Sequence, residues 1–126
     1  MPGNDRSSAA VEVSTLRRRA DFLKAARARR CTTPTLRLQG RHRTECESPA
    51  GIRFGLTCSR KIGNAVTRNR AKRRLRAVAR ELLPCCGRVG WDYVLVGRVG
   101  STVESPIANL RDDFRTALGT IHRKPG

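Results

Sequence analysis

The sequence is poor in aromatic side chains: three Phe, one Trp and one Tyr make up 4% of 126 residues. A core built here must be aliphatic and modest, and the length suits one domain. It is also poor in acid. Ten Asp and Glu stand against 27 Lys and Arg, giving a net charge of +17, and no acidic residue occurs from Ser48 through Arg80. Lysine is scarce as well, only Lys24, Lys61, Lys72 and Lys124, so the positive charge is mostly guanidinium. No apolar run is long enough to span a membrane, and none follows Met1 as in a secretory signal. A cytoplasmic protein without a membrane partner is expected. The five cysteines (Cys31, Cys46, Cys58, Cys85 and Cys86) are odd in number, contain no Cys-x-x-Cys pair and lack a second ligand pair for zinc. Reduced thiols are expected over a disulfide framework or a metal site, the vicinal Cys85-Cys86 included.

What is present is a chain of alternating and helical periods. Residues 1–14 are polar, carry Pro2-Gly3-Asn4 and read as a flexible extension. Leu16, Ala20, Leu23 and Ala26 recur at helical spacing over 15–30, and Thr33-Pro34 ends any helix there. Thr35 to Gln39 alternates as a short strand, residues 40–51 read as a loop, and an extra strand fits between Arg30 and Pro34. Ile52, Phe54, Leu56 and Cys58 mark the inward face of a second strand. Asn64 then caps a helix over 65–83, stopped by Pro84, with Ala71, Leu75, Val78, Ala79 and Leu82 as its apolar stripe. Tyr93 to Val96 forms a buried strand, and Pro106 opens a last helix through Ile107, Leu110, Phe114, Leu118 and Ile121. The order α-β-β(-β)-α-β-α predicts an α+β domain, an α/β sandwich with one small sheet backed by helices; 15–123 form the domain and 124–126 a tail.

The acid-free span carries the functional signal. A solvated helix usually interleaves acidic partners at i,i+4, and here none is available. At about 100° per residue, Asn69, Lys72, Arg73, Arg76 and Arg80 project together, opposite the apolar stripe. A merely soluble basic helix is the plain alternative. A DNA-recognition helix would need a preceding helix and tight turn, whereas a strand and loop precede this one, so DNA is not the expected partner. In the loop Ser59 to Asn64, Gly63 allows close backbone approach and the helix start offers N–H groups to a phosphate oxygen. His42 and His122 sit in no nucleophile or metal motif, and Asp112-Asp113 reads as a solvated pair, so neither catalytic nor metal-binding residues are expected. A ribosomal or chaperone-like RNA binder and a protein-only nuclease are the remaining classes.

The run Gly55-Leu56-Thr57-Cys58-Ser59-Arg60-Lys61-Ile62-Gly63-Asn64-Ala65-Val66-Thr67-Arg68-Asn69-Arg70-Ala71-Lys72-Arg73-Arg74-Leu75-Arg76 closely resembles the signature of the bacterial ribonuclease P protein subunit. Arg18 to Phe22, Trp91 to Val96 and the last helix extend the likeness over about 15–123. The resemblance implies a left-handed βαβ crossover around the Arg-rich helix. It also implies endonucleolytic removal of the 5′ leader from precursor tRNA by a catalytic RNA using Mg²⁺, which that RNA mainly holds. Carried over by motif, Arg60, Lys61, Asn64, Arg68, Asn69, Arg70, Lys72, Arg73 and Arg76 meet the catalytic RNA. Phe22, Leu36 and Leu38 line a cleft for the precursor-tRNA leader. The chain departs from the pattern at Ala26, where a second aromatic is common, and at Leu36-Arg37-Leu38, which lacks a tyrosine. Ala77 also stands where an acidic residue is common. Base stacking on an aromatic contributes ~1–3 kcal/mol, so the cleft is expected to grip less by stacking, with the Arg37 guanidinium plane in compensation.

Overall fold

The computed structural model describes residues 12–43 and 51–123. Strand β1 (Val13–Thr15) leads into helix α1 (Arg19–Ala26), then strands β2 (Arg29–Thr32), β3 (Leu36–His42) and β4 (Ile52–Thr57). A 3₁₀ turn (Arg60–Ile62) precedes the long helix α2 (Ala65–Cys86). Strand β5 (Trp91–Gly97), a short helix α3 (Ser101–Glu104) and the last helix α4 (Ile107–Arg123) complete the order.

All five strands join one sheet in the order β1-β4-β5-β3-β2. β4 runs parallel to β1 and β5, while β3 runs antiparallel to β5 and β2. α2 is therefore the crossover between the parallel neighbours β4 and β5. β5 lies at the centre, and Trp91 through Leu95 are all buried, as expected for a strand covered on both faces. On one face Leu36, Leu38, Ile52, Phe54, Tyr93 and Leu95 pack against α2 and α4 in the main core. On the other, Val94 packs with Leu16 and Ala25, with Phe22 and Val96 beside them.

The sequence expectations need four corrections. Val13 and Ser14, assigned to a flexible extension, pair in register with Ile52 and Arg53; residues 1–11 lie outside the described residues. α1 is only eight residues long, because sheet pairing claims both ends of the expected helix. The Leu16 N–H donates to the Phe54 carbonyl at 2.8 Å, and Arg29 to Thr32 pair with β3. β3 continues to His42 into the expected loop, of which 44–50 lie outside the described residues. Finally, α2 passes through Pro84 to Cys86. A proline this close to the end removes one helical bond, and the next turn still closes through Gly87 N–H to the Leu83 carbonyl at 2.9 Å. The extra strand expected before Pro34 is present as β2.

Two polar devices lock this frame. Asp92 is fully buried on β5 and accepts from Arg43 Nη1 at 2.6 Å and from Arg53 Nε and Nη2 at 2.8 and 2.7 Å, with Arg41 Nη1 at 3.9 Å. Arg53 also reaches Asp21 on α1 at 3.6 Å, so the cluster ties that helix to the sheet. Arg74 on α2 donates to the carbonyls of Thr102 and Ser105, fixing α2 to the α3–α4 connection.

Candidate nucleic-acid interface

Asn64 caps α2 as its sequence position predicts: its Oδ1 accepts from the Thr67 N–H at 2.9 Å, one of the four donors that a helix start leaves over. Gly63, at φ +149°, sits where L side chains are strained, and a Cβ there would also press on Thr67 at 3.0 Å. Because Ala71, Leu75, Val78, Ala79 and Leu82 turn into the core, the opposite face must point outward. Asn69, Arg70, Arg73 and Arg76 are exposed, Arg68 and Lys72 half-buried, and Arg60 and Lys61 exposed on the 3₁₀ turn. Arg68 donates to the Gly63 carbonyl at 3.1 Å, bracing the loop against the helix.

Among the described residues none of Arg60, Lys61, Arg68, Arg70, Lys72, Arg73 and Arg76 has an ion-pair partner. Val66, Asn69, Lys72, Arg73 and Arg76 line a shallow groove of about 480 Å³ along α2. Arg60, Lys61, Asn64, Arg68 and Arg70 are not part of its lining. Arg80, on the same helix, lies 5.5 Å from the Phe54 ring centroid in a cation–π contact. Arg74, on the opposite flank, is engaged with backbone carbonyls.

A second hollow, about 250 Å³, opens between α1, β4 and α2. It brings Phe22 together with Lys72 and Arg76, so the aromatic assigned to the cleft adjoins the basic face. Its floor is made possible by Gly55: a Cβ there would lie 2.5 Å from Cε2 and Cζ of the Phe22 ring. Glycine inside a strand signals such an approach, yet sequence reasoning took Gly55 only as a motif residue. Leu36 and Leu38 do not join this hollow. Both are fully buried on the opposite sheet face, in one cluster with Leu75 and Phe114. Strand alternation forces the result: the odd-numbered neighbour Arg37 is exposed, and it pairs with Val96, which packs beside Phe22's cluster. Of the four residues expected at the cleft, Leu36 and Leu38 are thus buried away from it, while Phe22 and Arg37 lie on the other face of the sheet, Arg37 outside the lining of the hollow.

No group of three or more His, Cys, Asp or Glu is placed to hold a metal ion among the described residues. Asp113 is taken up as a structural acceptor for the Thr35 N–H and hydroxyl at 3.1 and 2.7 Å, and Asp112 lies 3.4 Å from Arg115. Cys31, Cys58, Cys85 and Cys86 are free thiols. No described helix is long and apolar enough to cross a membrane.

A sheet backed by helices, an unneutralised cationic helix face and an adjoining cleft define an RNA-binding protein of the α+β class. The family model for ribonuclease P matches residues 12–122, and the chain belongs to that family. A ribonuclease P protein component from Ruegeria pomeroyi is 56% identical over 110 residues, covering 87% of each chain. One from Caulobacter vibrioides is 48% identical over 108 residues, covering 86% of this chain and 70% of the relative. The fold is shared with the ribonuclease P protein of Thermotoga maritima, at TM-score 0.68 and 23% identity over 89% of this chain and 98% of that one. It is likewise shared with the Staphylococcus aureus protein, at TM-score 0.66 and 19% identity over 84% and 93%.

Proposed function

We propose that the protein is the RNA-gripping subunit of ribonuclease P, that a catalytic RNA performs the cleavage, and that the substrate is precursor tRNA. One observation carries this reading: an acid-free, outward-facing row on α2 opens directly onto the hollow holding Phe22. The row neutralises phosphates of the catalytic RNA, and each guanidinium can take two oxygens at once. The neighbouring hollow of about 250 Å³, next to that row, takes the 5′ leader as it leaves the tRNA in this reading. Its lining sets Phe22 and Phe54, with Leu16 and Leu56, beside Lys72 and Arg76, so the leader meets apolar surface as well as charge.

Among the described residues no group of three or more His, Cys, Asp or Glu is placed to hold a metal ion, and no step is assigned to the protein's carboxylates. Mg²⁺ belongs with the RNA in this reading; the protein lowers the demand for it by supplying fixed positive charge. The test is reconstitution: protein alone, a bacterial catalytic RNA alone, and both together, with precursor tRNA over a range of Mg²⁺. The protein alone should be inert, and the pair should cleave at Mg²⁺ concentrations where the RNA alone is slow. Cleavage by RNA-free protein would overturn the reading.

A further inference from the structure

The C-terminal end of α2 and the last turns of α4 enclose a groove of about 380 Å³ that shares no lining residue with the basic face. Cys86 and Leu118 supply apolar lining, and Arg88, Arg115 and Arg123 supply charge. From Arg76 to Cys86 the helix rises roughly 15 Å, so the two surfaces are well separated.

Two observations point to an anionic guest. The first is charge: Arg88 and Arg123 have no ion-pair partner among the described residues, and Arg115 has only Asp112 of its own helix at 3.4 Å, both well exposed. Like charges around one groove repel until a counter-charge enters. The second is Gly119, which lines the groove in the middle of α4. A glycine there costs the helix about 1 kcal/mol relative to alanine. Its φ is not positive, and a Cβ would meet no atom within 4 Å. Nothing in the protein's own packing requires glycine; a side chain would instead project into the space beside the arginines.

We propose that this groove is a second phosphate-binding site, occupied by the phosphodiester backbone of an RNA strand. Arg115 and Arg123 stand two helical turns apart, roughly 12 Å. At about 3.4 Å of rise per nucleotide that span matches several nucleotides rather than one small anion. The proposal rests on the ribonuclease P reading for its choice of RNA, and it gives the protein two separate grips on RNA.

The test uses the full chain in fluorescence titrations with the catalytic RNA and, separately, with precursor tRNA, over a series of salt concentrations. Gly119→Leu fills the groove without altering charge or removing a contact, and as an exposed mid-helix change it should not lower the thermal midpoint. It should weaken binding of one RNA about tenfold. Arg88→Gln with Arg123→Gln should lower the slope of log K against log salt for the same RNA by roughly 1.4–1.8, the release expected from two phosphates. A control pair of equal charge loss outside both grooves, Arg18→Gln with Arg27→Gln, should leave a smaller change shared by both RNAs. Whichever RNA loses affinity identifies the source of the strand. Unchanged binding of both RNAs by Gly119→Leu, or an arginine effect no larger than the control pair's, overturns the proposal. Failure of the unaltered protein to bind either RNA would instead overturn the ribonuclease P reading.

Discussion

Replacing Asp92 by alanine should unfold much of what positions the basic helix, and the size of the effect can be worked from its surroundings. The carboxylate is fully buried and takes three hydrogen bonds of 2.6–2.8 Å from Arg43 and Arg53, with Arg41 at 3.9 Å. The Arg43 and Arg53 side chains are themselves only 2% and 14% exposed. Arg43 keeps its bonds to the Trp91 and Gly51 carbonyls and Arg53 keeps Asp21 at 3.6 Å, but the buried carboxylate they share is lost, and breaking a buried pair typically costs 3–5 kcal/mol. Unfolding entropy is about 2.1 cal/mol/K per residue, or roughly 0.26 kcal/mol/K for this chain, so the midpoint should fall by ~11–19 °C. Asp92→Asn, which keeps the shape and one acceptor but not the charge, should fall between that and the wild type. Urea and thermal unfolding followed by circular dichroism measure both. A loss below about 1 kcal/mol for the alanine variant would show that the three arginines find equivalent partners without Asp92, and the cluster would not be the tie between β5, β4 and α1 described above.

Other outcomes follow from the same geometry. Arg73→Ala with Arg76→Ala should weaken assembly with the catalytic RNA and reduce the salt slope by roughly 1.4–1.8, while leaving the thermal midpoint within a few degrees; an unchanged slope, read by filter binding, would remove these residues from the interface. Gly55→Ala should cost about 1–3 kcal/mol through collision with the Phe22 ring, and adding Phe22→Leu should recover part of that stability in the same unfolding assay. His122 is held down at about 4 by burial, then by Arg88 and Arg29. The unfolded chain therefore binds a proton there at a higher pH than the folded one, and the stabilisation is complete above about 6.5 and lost as pH falls toward 4. His122→Gln should flatten the midpoint-versus-pH curve across that window, and an equally steep curve would place the acid sensitivity elsewhere.

Element type was largely legible in the sequence wherever one periodicity ran unopposed. The apolar stripe of α2, its Asn64 cap, the inward set of β4 and the amphipathic last helix all occur where the spacing put them. The errors lie where long-range pairing competes with local pattern. Leu16 fits a helical period, yet its backbone is claimed by β4, and Arg29 and Arg30, expected to end the helix, open the edge strand against β3 instead. The exposed basic row was readable because a helix with one buried face has no choice about the other. The cleft was less readable. Leu36 and Leu38 turn into the main core, and only the register with β5 shows that Phe22 covers the other face of the sheet. Asp92 looked like a motif residue, and no local signal revealed that Arg41, Arg43 and Arg53 converge on it.

The central position of β5 also governs when the protein can fold. Until Trp91–Gly97 has left the ribosome, the β2–β3 hairpin and β4 have no strand in common, and α2 has emerged with its apolar stripe uncovered. α4, which closes the same core, follows later still. Such topology is dominated by contacts between distant parts of the chain, which slows folding relative to locally wired proteins. Most of the domain is therefore synthesised before its core can close, and through that interval the cationic helix is available to any RNA nearby. An RNA that arrives early would meet the grip before the frame that aims it.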